Sequence, residues 1–140
     1  MNVKGGKVST VSLETLVKAY VSAEAEYARW GAKGEFNAKR KPEAPIAFNS
    51  LEEAMKFRAM KDDYEAEMEA IRNKRQECLK QQATLGKEIL NLLPVANAWI
   101  RVGDYAVGFH YDTWGGGHYE IRVEAWSDHL PDLSDHTDYP

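Results

Sequence analysis

The sequence has a single cysteine, Cys78, so neither a disulfide framework nor a cysteine-based zinc site can form within the chain. Long apolar runs are missing too. No stretch approaches the roughly 20 residues a membrane span needs, and the opening MNVKGGKVSTVS lacks the apolar core of a secretory signal. The expectation is a cytoplasmic protein with no membrane partner. A cationic excess is also absent. The net charge of −4 argues against direct nucleic-acid binding, which needs Lys and Arg to neutralise phosphates. No phosphate loop, dinucleotide fingerprint, nucleophile elbow or metalloprotease helix occurs, so the chain reads as a non-enzyme with no cofactor. What remains is 140 residues with 44% hydrophobic and 29% charged content, the composition of one globular domain, 1–140.

The clearest positive signal lies between Ser50 and Leu93. There Tyr64, Met68, Ile71, Cys78, Leu85, Ile89 and Leu92 fall on a heptad rhythm, as in a coiled-coil helix. Ser50 and Glu53 form a capping box for it, and Pro94 closes it. A helix over 50–93 would be roughly 65 Å long. Arg75 and Gln82 interrupt its apolar seam, either to set register or simply snorkelling at its edge. Cys78 on the same stripe reads as a small buried hydrophobe. Upstream, Leu13, Leu16, Tyr20, Ala23, Tyr27 and Trp30 repeat at helical spacing, predicting a first helix over 12–33. Ser12 would cap it and Gly31 to Gly34 would end it. A basic loop over 34–49 carries Lys39, Arg40 and Lys41. The two helices form an antiparallel hairpin, but the first is about half as long as the second. Half of the long seam is then uncovered, which predicts a homo-oligomer through the second helix.

After Pro94 the pattern switches to period 2, predicting a three-stranded antiparallel β-meander over 98–126. Gly103 and Asp104 suit a tight turn of type II′. Pairing Val102 with Tyr105 and Asp112 with His118 collects Ile100, Val102, Tyr105, Val107, Phe109, Tyr111, Tyr119, Ile121 and Val123 on one face, the predicted core. Residues 127–140 form an acidic tail, expected to be flexible, with Asp128, Asp132, Asp135 and Asp138 and no Lys or Arg. The expected class is α+β: a long coiled-coil-like helical hairpin, then the meander, then the tail.

The sheet's other face holds the candidate chemistry. Trp99, Arg101, Arg122 and Trp126, with Trp114 in the connection beside them, have the aromatic and arginine composition of an interface hot spot. With Arg40 from the basic loop they make the expected partner-binding set, and they point to a non-enzymatic protein-binding module, an oligomeric inhibitor or adaptor. The layout of paired helices, small meander and acidic tail is similar in general style to the small inhibitor proteins of phages and mobile elements, a likeness that rests on no motif. An alternative is a nucleotide-like anionic ligand held by Arg101, Arg122, Lys39 and Arg40 with the backbone of Gly115, Gly116 and Gly117. The third is a metal-dependent hydrolase. His110, Asp112, His118 and Glu120 become cross-strand neighbours, and imidazole with carboxylate suits zinc, manganese or iron.

Overall fold

A computed structural model describes the backbone of residues 3–114 and 116–133, with side chains from Leu13 onward. Helices α1 (Val3–Ala38) and α2 (Leu51–Leu92) are followed by strands β1 (Ile100–Val102), β2 (Tyr105–Asp112) and β3 (His118–Ala125). The two helices pack together as an antiparallel hairpin and the strands form a meander, so the α+β class holds. The start of α2 is capped as its sequence indicates. Glu53 N–H donates to Ser50 Oγ at 3.1 Å, and Asn49 N–H donates to Glu53 Oε2 at 3.0 Å. One orphan amide of the first turn, and the amide of the residue before the cap, are thereby satisfied.

Helix α1 exceeds its expected limits of 12–33 at both ends. Ser12 lies within it rather than capping it, and Gly31 to Gly34 do not end it. The reason is packing. A Cβ at Gly31 would lie 3.4 Å from the Arg75 guanidinium, and one at Gly34 would lie 3.4 Å from Ile71 Cγ2. Both positions face α2, and packing of the helices there outweighs the roughly 1 kcal/mol helix penalty of each glycine. With 36 residues in α1 against 42 in α2, the shortfall that predicted a half-uncovered seam disappears. Every seam residue from Tyr64 to Leu92 is buried or half-buried.

The chain forms two compact units, one of Met1–Ser22 with Gln81–Pro140 and one of Ala23–Lys80. In the second unit Ala23, Ile71 and Cys78 are buried between the helices. Arg75, at a seam position, lies over the Tyr27 ring with its guanidinium 4.3 Å from the ring centre, so a charged seam residue is accommodated by cation–π contact.

In the first unit the core is Val17, Ile89, Leu93, Val102 and Val107, ringed by Leu13, Leu16, Tyr20, Ile100, Tyr105, Phe109, Ile121 and Val123. The helix ends lie on one sheet face, as the alternation requires. The register is the one the pattern indicates, with Val102 opposite Tyr105 and Asp112 opposite His118. Gly103 opens the first turn at a φ of 62°, which side chains beyond Cα disfavour. Tyr111 and Tyr119, expected in the core, are half exposed. They lie beyond the helices and meet each other edge-on at 5.1 Å. The tail does not leave the fold at residue 127: Leu133 is only 3% exposed. Asp135 and Asp138 lie outside the described residues.

Candidate protein-docking surfaces

The outer face of the sheet is assembled by alternation on β2 and β3. Gly108 stands opposite Arg122, and β1 pairing places Trp99 on the other side of that glycine. The Arg122 guanidinium lies 5.8 Å from the Trp99 ring centre. Both side chains are occupied by the start of the tail. Trp99 Nε1 donates to the Pro131 carbonyl at 2.9 Å, and Arg122 Nη1 donates to the Asp132 carbonyl at 3.4 Å. Arg122 also pairs with Glu124 at 3.4 Å. Arg101 lies 4.9 Å from the Trp126 ring centre, and its Nε donates to the Gly103 carbonyl. Of the expected partner-binding set on this face, Trp114 and Arg101 are exposed. The aromatics and arginines come together as the register indicates, but the chain itself engages most of them.

At the far end of the same face, Asp112, His118 and Glu120 each offer a ligand atom within 4.8 Å of the others. His118 Nε2 and Glu120 Oε2 are 3.5 Å apart. The glycine connection holds the strand ends together: Gly117 N–H donates to the Asp112 carbonyl at 2.9 Å, with Gly116 and Gly117 at positive φ. His110, the fourth residue expected here, is buried in the sheet and does not belong to the cluster. Gly115 lies outside the described residues.

The second unit carries a surface that the sequence pattern did not single out. A cavity of about 530 Å³ is lined by Trp30, Lys33, Phe36, Asn37, Arg40 and Glu67, among others. A neighbouring one of about 220 Å³ shares Asn37, Arg40 and Glu67 and adds Met60 and Tyr64. A third, of about 240 Å³, shares Pro42 and Tyr64 with the second and adds Phe57 and Lys41. The residues shared by the first two place them side by side at the loop end of the hairpin. Phe36 is 65% exposed and Met60 58%, an arrangement that exposes apolar area on a small protein. Cations flank the aromatics, with Lys33 Nζ 4.2 Å from the Trp30 ring centre and Arg40 Cζ 5.9 Å from that of Phe36. Asn37 is buried, and its Nδ2 makes no hydrogen bond among the described residues. Extending α1 past Gly34 would have revealed the stripe Trp30, Lys33, Phe36 or Asn37 and Arg40 at helical spacing.

Two expected groupings fall in separate units. Arg101 and Arg122 belong to the first unit, Lys39 and Arg40 to the second. Cys78 is no reactive centre. Burial pushes its thiol up from the usual value near 9.0, and the Glu26 carboxylate, whose Oε1 accepts from Sγ at 3.6 Å, pushes it the same way. Among the described residues no helix is long and apolar enough to cross a membrane. Comparison with known proteins finds no family model that matches the chain and no curated protein or solved structure similar to it.

Proposed function

We propose that the chain is a non-enzymatic protein-binding module that docks a partner protein along the groove of its helical hairpin, acting as an inhibitor or adaptor. The observation that carries this reading is the pair of adjoining cavities, sharing Asn37, Arg40 and Glu67, whose lining residues Phe36 and Met60 remain more than half exposed. Burying two such side chains favours association by about 1.5–3 kcal/mol each, and a hairpin groove suits the apolar face of an amphipathic helix. Lys33 and Arg40 at its margin favour acidic groups at the rim of that helix. Arg40, expected on sequence grounds to touch a partner, lies within this surface.

The test is affinity capture with the full chain and with a Phe36→Glu, Met60→Glu variant. Both sites are exposed, so the melting temperature should be unchanged. A partner retained in stoichiometric amount by the parent and lost by the variant supports the reading. Identical captured sets would remove it.

One observation favours a second reading. Asp112, His118 and Glu120 present one imidazole and two carboxylates within reach of a common point, a donor set that suits zinc or manganese and leaves positions open for water. Zinc titration of untagged protein should then give one ion per chain, with binding lost in His118→Ala. Equal, weak heats for both proteins would exclude it.

A further inference from the structure

The start of the tail is seated on the sheet in a way that identifies what this face can hold. Gly108 leaves a gap between Trp99 and Arg122, and Leu133 fills it. A Cβ at position 108 would come within 2.6 Å of Leu133 Cδ2 and 2.8 Å of the Ala98 carbonyl oxygen. Ala106 and His110, next along the same strand face, are buried as well. Just ahead of the leucine anchor, the sheet grips main chain. Trp99 donates to the carbonyl of Pro131 and Arg122 to that of Asp132. Segment 127–133 contributes no strand to the sheet, so side chains, not a β-ladder, hold it. Two donors reading consecutive carbonyls plus one socket sized for leucine is the chemistry of peptide recognition.

We propose that the outer face of the sheet is a peptide-docking site for a short, bent polypeptide segment with a leucine anchor. Residues 127–133 fill it intramolecularly, and a matching segment of a partner protein takes their place when they are released. The site lies in the first unit and does not depend on the hairpin groove.

The test uses the full chain and a fluorescent peptide SDHLPDL, identical to residues 127–133, followed by anisotropy. In the parent chain the tethered segment competes at an effective concentration on the order of millimolar. A chain carrying Leu133→Asp should therefore bind the peptide at least tenfold more tightly than the parent. A peptide with Asp in place of its last leucine, the one matching Leu133, should not bind. Adding Trp99→Phe, which keeps the ring and removes the N–H donor, should weaken binding severalfold. Leu133→Ala, a milder change, carries the same expectation if the Asp variant loses its native circular dichroism. Failure of both released chains to bind better than the parent, or equal binding of the Leu and Asp peptides, overturns the proposal and makes the segment a fixed part of the fold.

Discussion

Cys78 shows how far a single side chain can be read in advance. Its place on the apolar stripe marks it as a buried hydrophobe, and the structure buries it. The Glu26 contact, 52 positions away, leaves no trace in local pattern. Desolvation and that carboxylate both hold the thiol protonated. The native chain should therefore resist a thiol reagent at pH 8 and label fully only once unfolded. Equal labelling rates with and without denaturant would contradict this. The raised value also sets a sign for stability. Above the unfolded thiol's value near 9.0, the unfolded chain loses its proton while the folded one keeps it, so stability falls as pH rises through the folded value. Glu26→Gln should reduce that fall in alkaline denaturant titrations. Leu133 is the opposite case. An apolar residue among Asp, Ser and Pro has no periodicity, so nothing local indicates that it closes the gap over Gly108.

At the scale of elements, the strands and α2 were legible because two independent signals agreed for each: alternation with turn residues, and heptads with a capping box. Helix α1 was legible only in its middle. Gly31 and Gly34 read locally as breakers, and the contacts that override them come from Arg75 and Ile71, far along the chain. The same two glycines conceal the cavities at the loop end, since Phe36, Asn37 and Arg40 follow them and read locally as loop. The structure makes a signed prediction. At Gly34 an added methyl would meet only Ile71 Cγ2 at 3.4 Å, and at Gly86 only Ile121 and Tyr20 at 3.6 Å. There is room for one carbon. Gly34→Ala and Gly86→Ala should each stabilise by about 0.5–1 kcal/mol through helix propensity, raising the melting temperature by about 2–4 °C. Gly34→Leu should instead overpack the seam and destabilise by about 1–3 kcal/mol. A drop in melting temperature for both alanine variants would mean that the helices meet more tightly than these distances show.

For the whole molecule, a seam with nothing to cover it would call for self-association. Within the second unit, α1 beyond Ala23 supplies that cover for Ile71 and Cys78. Within the first, Val17 and the sheet do so for Ile89 and Leu93. Closing each core within one chain removes the need for a second copy, and of the apolar side chains left exposed, Phe36 and Met60 line the cavities at the loop end. Light scattering coupled to size exclusion should therefore return the mass of one chain, 15.9 kDa. A dimer that Phe36→Glu converts to monomer would make a second copy the occupant of the groove, turning the proposed partner into the protein itself. A dimer that survives this substitution would place association elsewhere and remove the groove's claim as the main docking surface, because its apolar side chains would then be exposed in the assembly as well.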